Sequence, residues 1–134
     1  MFKKVCIIGC GLIGSSIARG IKKNKLATKI VSSNRSNNTN KKVVRLKIVN
    51  EASSDTKKIV KGSDLIIIAS PLSSYKNIIL KIKSSLKNGA ILTDVGSVKK
   101  NIISLIEKNI PKNVSWVSSH PIAGTEESGP ESGF

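Results

Sequence analysis

The stretch Val5-Cys6-Ile7-Ile8-Gly9-Cys10-Gly11-Leu12-Ile13-Gly14-Ser15-Ser16-Ile17-Ala18 decides how the chain folds. An apolar run reaches a Gly-x-Gly-x-x-Gly turn, and helix-compatible residues follow at once. The reading is strand, tight turn, helix. In such a turn Gly9 permits the reversal, Gly11 lets a pyrophosphate approach the backbone, and Gly14 lets helix and strand pack closely. The helix start at Leu12 and Ile13 then offers N–H groups and the positive end of the helix dipole to the phosphates. Three spaced glycines alone are a weak signal; the strand before them and the helix after supply the context.

Working outward, Lys3–Ile8 has both alternating sets apolar (Val5/Ile7 and Cys6/Ile8), as expected for a central parallel strand covered on both faces. Leu12 to about Lys23 predicts the crossover helix, with Ile13, Ile17 and Ile21 on one face. A short strand over Lys29–Ser32, a polar loop over Asn34–Asn40 and a short helix over Lys41–Leu46 follow. Ile48-Val49 reads as a minimal third strand and Ser54–Val60 as a helical turn or two. Asp64–Ala69 is the clearest buried strand. Ser73 or Ser74 caps the next helix, with Ile78, Ile79, Ile82 and Leu86 inward. Ala90–Asp94 is a strand, Val98–Asn109 a helix with Ile102, Ile103 and Ile106 at helical spacing, and Val114–Ser118 a final strand carrying Trp116. Alternating strands and helices predict a doubly wound, mostly parallel α/β sheet of the Rossmann type. The division expected is a dinucleotide-binding domain over 1–120 and, over 121–134, the start of a loop rich in Gly, Pro, Ser and Glu.

At 134 residues the chain is large enough to bury one core, and 39% apolar residues set it apart from disordered chains. A formal charge of +15 raises nucleic acid as a partner. Against that, Arg19, Arg35 and Arg45 are the only arginines, the lysines are scattered, and aromatic side chains for base stacking are nearly absent. Nucleic acid is therefore not an expected partner. No segment approaches the ~20 apolar residues of a membrane span, and glycines interrupt the one N-terminal run that imitates an export signal. The expected setting is cytoplasmic, without a membrane. Cys6 and Cys10 stand too far apart along a strand end for a disulfide, and one His with two separated Cys makes no metal site.

In open α/β sheets ligands bind beyond the carboxyl ends of the strands. Five stretches fall there: Gly9–Gly14, Asn34-Arg35-Ser36, Ser70-Pro71-Leu72, Asp94–Ser97 and His120. Asn34 lies where an NAD-preferring site carries an acid for the ribose. The neutral Asn34, then Arg35 with a guanidinium suited to phosphate and Ser36 with a hydroxyl, favour NADP over NAD as the cofactor. His120, the only histidine, can take a proton from an alcohol as hydride leaves the carbinol carbon. Ser97 can hold the same hydroxyl, or cap the helix that starts at Val98.

With these residues placed, the chain resembles the prephenate/arogenate (cyclohexadienyl) dehydrogenase family. The pieces that carry the resemblance are Gly9–Ser15, Asp64–Leu72, Thr93-Asp94-Val95-Gly96-Ser97-Val98-Lys99 and above all Ser119-His120-Pro121-Ile122-Ala123-Gly124-Thr125-Glu126-Glu127-Ser128-Gly129. The resemblance implies an NAD(P)-dependent oxidative decarboxylation in tyrosine biosynthesis. His120 would take the hydroxyl proton and Ser97 contact the same hydroxyl. Thr125 and Glu126 would line the substrate entrance, and Ser70, Pro71, Leu72 and Gly96 would flank the cofactor. Family members continue into a helical domain that forms a homodimer and completes the substrate site. The chain is thus expected to be an N-terminal fragment that binds cofactor and turns over little or no prephenate or arogenate. Two other functions compete: a different NADP-linked dehydrogenase of related fold, and a nucleotide-binding module without catalysis.

Overall fold

The computed structural model describes residues 1–95 and 100–118. Six strands, β1 (Phe2–Ile8), β2 (Ala27–Ser33), β3 (Glu51–Ser53), β4 (Leu65–Ile68), β5 (Ile91–Asp94) and β6 (Ser115–Val117), form one sheet in the order β3-β2-β1-β4-β5-β6. Every pairing among the described residues is parallel. The helices α1 (Leu12–Lys23), α2 (Asn37–Arg45), α3 (Thr56–Ile59), α4 (Tyr75–Ile82) and α5 (Lys100–Asn109) make the crossovers. This is the doubly wound order, and the direction of winding reverses between β1 and β4.

The alternation in β1 decides how the layers form. Val5 and Ile7 point into a core with Ala18, Ile21, Ile30, Val43, Ile48, Val49 and Ile67, beneath α1 and α2. Cys6 and Ile8 point the opposite way, into a core with Val31, Ile66, Ile68, Tyr75, Ile79, Ile82, Leu92 and Ile106. Burying each Val, Ile or Leu side chain among them contributes roughly 1.5–3 kcal/mol. The two cysteines therefore lie on opposite faces of the sheet, both as free thiols. Burial pushes the Cys6 thiol up to about 12, so it behaves as a small apolar core residue.

The structure differs from the sequence expectations in four places. Ile48 and Val49 are not a strand; both are buried in the turn after α2, and the third strand is the polar edge segment Glu51–Ser53. The α2 helix begins at Asn37 rather than Lys41, because Ser36 caps it by accepting the Thr39 N–H. Neither Ser73 nor Ser74 caps α4 through its side chain; Ser74 Oγ instead donates to Pro71 O at 2.6 Å, closing the 3-10 turn over 72–74. Finally, α1 buries Gly14, Ala18 and Ile21, while Ile13 is 58% exposed. Small residues let the first turn of α1 sit against the end of β1, which rotates Ile13 outward.

At the opposite end of the sheet from the glycine turn, Asp64 ties β4 to the start of β1. Its carboxylate accepts the N–H of Lys3 at 2.6 Å and of Lys4 at 3.1 Å and pairs with Lys87. The Lys87 ammonium and then these backbone donors hold the Asp64 carboxyl down at about 2.

Candidate functional site

All six strands run the same way, so the ends of β1, β2, β4 and β5 open onto one rim. The glycine turn joins β1 to α1 at the centre of that rim, and its three glycines have three different causes. Gly9 has φ +95°, and a Cβ there would lie 3.0 Å from both Ser70 N and Ser70 Oγ. A Cβ on Gly14 would lie 2.1 Å from Gly9 O, so helix and turn could not meet as they do. Gly11 has no heavy atom within 4 Å of its Cβ position. Nothing in the described residues requires glycine there; the open space outside it is room for a ligand to reach the backbone.

That backbone is ready for an anion. The N–H groups of Gly11, Leu12, Ile13 and Gly14 make no hydrogen bond among the described residues, the first helical bond being Ser15 N–H to Gly11 O at 2.9 Å. The α1 helix has no side-chain cap and no acid in its first turn to occupy these donors. Leu12, 91% exposed, and Ile13 stand beside them at the rim. Bare amide donors, a helix dipole and a cleared approach suit the pyrophosphate of a dinucleotide.

The turn is held from both neighbouring strands. Ile8 O accepts Ala69 N–H at 2.8 Å and Ser70 Oγ at 3.1 Å, which couples it to the end of β4. Gly9 N–H donates to Ser33 O at 2.8 Å and Cys10 N–H to Asn34 Oδ1 at 2.5 Å, which couples it to the end of β2. Ser15 Oγ returns to Cys10 O at 3.1 Å. Preorganised in this way, the turn need not reorder when a phosphate arrives.

The second strand end contains a side-chain arrangement that sequence reasoning missed. Asn34 is buried, and its Nδ2 donates to Ser32 Oγ at 2.7 Å and to Asn40 Oδ1 at 2.9 Å. Asn40, buried on α2, returns its own Nδ2 to Asn34 O at 3.1 Å. Both donor hydrogens of Asn34 are thus consumed inside the protein, and only its oxygen faces the turn. Arg35 and Ser36 are exposed next to it. The Ser36 oxygen accepts Thr39 N–H at 3.3 Å as the helix cap, which leaves its hydroxyl hydrogen to donate. The run Asn37-Asn38-Thr39-Asn40 reads as a polar loop, and nothing in its spacing distinguishes Asn40 from its neighbours.

Beyond β4, Ser70 and Leu72 are half-buried and Pro71 is exposed, at the rim beside Gly9. Tyr75 on α4 and Asp94 at the end of β5 are both fully buried, and the tyrosine hydroxyl donates to Asp94 Oδ2 at 3.3 Å. This bond ties α4 to the strand end that leads toward Ser97. Gly96, Ser97, His120, Thr125 and Glu126 lie outside the described residues. The structure therefore brings together Gly9, Gly11, Leu12, Ile13, Gly14, Asn34, Arg35, Ser36, Ser70, Pro71 and Leu72 of the residues singled out from sequence. Among the described residues no group of three His, Cys, Asp or Glu could hold a metal ion, and no helix is long and apolar enough to cross a membrane.

Comparison with known proteins identifies the family of the chain. Residues 17–134 match the family model described as prephenate dehydrogenase, nucleotide-binding domain. Cyclohexadienyl dehydrogenase of Zymomonas mobilis is 33% identical over 134 residues, all of this chain and 45% of that protein. Prephenate dehydrogenase of Lactococcus lactis is 36% identical over 129 residues, 95% of this chain and 36% of that protein. Among solved structures, prephenate dehydrogenase from A. aeolicus in complex with hydroxyphenyl propionate and NAD+ superposes with a TM-score of 0.82 at 30% identity. That match covers 94% of this chain and 44% of the other. The chain thus spans less than half the length of these relatives. By these matches, the chain belongs to the prephenate dehydrogenase family, in its nucleotide-binding domain.

Proposed function

We propose that the chain supplies the cofactor half of an enzyme that oxidatively decarboxylates prephenate or arogenate with a nicotinamide dinucleotide, NADP in preference to NAD. The observation that carries this reading is the row of N–H groups from Gly11 to Gly14 that make no hydrogen bond among the described residues, together with the open space at the Gly11 Cβ position. The pyrophosphate lies on those donors. Ser70, Pro71, Leu72 and Gly96 flank the dinucleotide, and Arg35 with Ser36 meets the 2′-phosphate. Arg35 is the cation beside the ribose position, and Asn34 is neutral, so no carboxylate there repels a phosphate.

The bound cofactor supplies a hydride acceptor. In the family's reaction pattern, His120 takes the proton of the substrate hydroxyl while Ser97 holds that hydroxyl in place, and Thr125 and Glu126 line the entrance. Loss of CO2 then completes aromatisation of the ring. General-base assistance of this kind is worth ~10²–10⁴ in rate. Residues 1–120 form the dinucleotide-binding domain, and 121–134 begin the loop toward a helical domain that closes the substrate site and makes a homodimer. Fluorescence titration of the chain with NADPH and NADH tests this reading: saturable binding of both, NADPH the tighter, is expected. Absence of binding by either would refute it.

A further inference from the structure

The orientation of the Asn34 amide follows from its surroundings without ambiguity. At one end of the relay stands a main-chain acceptor, Asn34 O, which requires the Asn40 nitrogen. At the other stands a main-chain donor, Cys10 N–H, which requires the Asn34 oxygen. Between them Asn40 Oδ1 can only accept, and it takes the Asn34 nitrogen. Reversing either amide sets oxygen against oxygen or N–H against N–H. Both side chains are buried, 8% and 7% exposed, so water cannot repair such a mismatch at low cost.

From this closed relay we infer that Asn40 is a positioning residue for the dinucleotide: it fixes Asn34 as an acceptor toward both the glycine turn and the adenosine ribose, so cofactor choice at the end of β2 belongs to the Asn34–Asn40 pair. The inference rests on the dinucleotide-binding reading given above. With both donors consumed, Asn34 offers a ribose hydroxyl a remaining lone pair and offers a 2′-phosphate nothing. Phosphate recognition then falls to Arg35 and Ser36.

The pair also controls what an acid at position 34 would do. In Asn34→Asp one carboxylate oxygen still accepts Cys10 N–H, and the Ser32 hydroxyl can turn to donate to the other. That second oxygen nevertheless faces Asn40 Oδ1, acceptor against acceptor, and Asn40 cannot turn because its nitrogen is held by the residue 34 carbonyl. The acid that suits NAD therefore fails here unless residue 40 changes with it.

The test is a double-mutant cycle on NADH and NADPH binding by the 134-residue chain, with apo melting temperatures recorded alongside. In the wild-type background, Asn40→Ala weakens NADH binding about fivefold. In the Asn34→Asp background, the same Asn40→Ala change strengthens NADH binding by about fivefold or more and shifts the NADPH:NADH preference toward NADH. A residue that only supports packing costs affinity in both backgrounds, so the reversal of sign is the diagnostic. Should Asn40→Ala not fold, Asn40→Ser is used in both backgrounds, since its hydroxyl can donate to the carboxylate introduced by Asn34→Asp. Loss in both backgrounds, or no effect in either, overturns the inference while leaving dinucleotide binding intact. A wild-type chain that binds neither dinucleotide overturns both.

Discussion

The Asn34 side-chain oxygen sits 2.5 Å from the Cys10 main-chain nitrogen, so the end of β2 holds the glycine turn at the end of β1. Replacing the amide removes a buried acceptor and leaves Cys10 N–H and Asn40 Oδ1 without their Asn34 side-chain partner. Asn34→Ala should lower unfolding free energy by about 1–3 kcal/mol in a urea titration. Affinity for NADH should fall by about tenfold and that for NADPH by less, because both lose the preorganised turn and NADH also loses the acceptor for its ribose hydroxyl. Unchanged binding with lowered stability would mean that the bond supports the fold alone.

Arg35 is exposed at the same strand end, next to the capping Ser36. Arg35→Ala should leave the melting temperature nearly unchanged and weaken NADPH by about 10–100-fold, the worth of a charge-assisted contact, while NADH changes little. Equal losses for the two cofactors, measured by titration, would remove the arginine from phosphate recognition.

Gly14 and Gly11 make a paired prediction. A Cβ at Gly14 would come within 2.1 Å of Gly9 O, so Gly14→Ala should cost on the order of 3 kcal/mol or prevent folding, as overpacking against main chain does. Gly11→Ala meets open space in the free protein and should leave apo stability within about 0.5 kcal/mol. The same methyl stands where the pyrophosphate would approach, so it should weaken both dinucleotides about tenfold or more. Thermal melts with and without NADPH separate the two. A Gly11→Ala protein that is unstable without ligand, or that binds normally, would contradict this assignment.

Asp64 gives the fold a dependence on pH. Its carboxyl is held down at about 2, from 3.8, by Lys87 and by the N–H groups of Lys4 and Lys3. A carboxylate whose folded value is depressed stabilises the protein fully above its unfolded value. That stability is lost as pH falls from about 4 through about 2. Lys87 is partly exposed, so solvent screening reduces the effect to on the order of 1 kcal/mol. Asp64→Asn should melt lower at pH 7, and the difference from wild type should shrink as pH falls through this window. A difference that is constant from pH 7 to pH 2 would argue against the pairing.

The β1–turn–α1 unit and the buried strands were legible because their signal is local. Val5 to Ile8 alternates to both faces, and Gly9, Gly11 and Gly14 stand at fixed spacing. Two kinds of feature were not legible. The polar edge strand Glu51–Ser53 has no apolar pattern, and the nearby Ile48-Val49 does, so burial in a turn imitates a strand. The partnership of Asn34 with Asn40, and of Tyr75 with Asp94, depends on which polar groups the finished fold brings face to face. Ile13 illustrates the same limit: helical spacing places it with Ile17 and Ile21, yet the close approach permitted by Gly14 turns it toward the rim.

Cofactor binding is the central claim, and it is tested most directly by titrating the wild-type chain with NADPH and NADH under identical salt. One saturable site per chain is expected, with NADPH bound more tightly than NADH and both weakened by Gly11→Ala. No saturable binding of either dinucleotide, or binding indifferent to Gly11→Ala, would contradict the assignment of the glycine turn as the phosphate site.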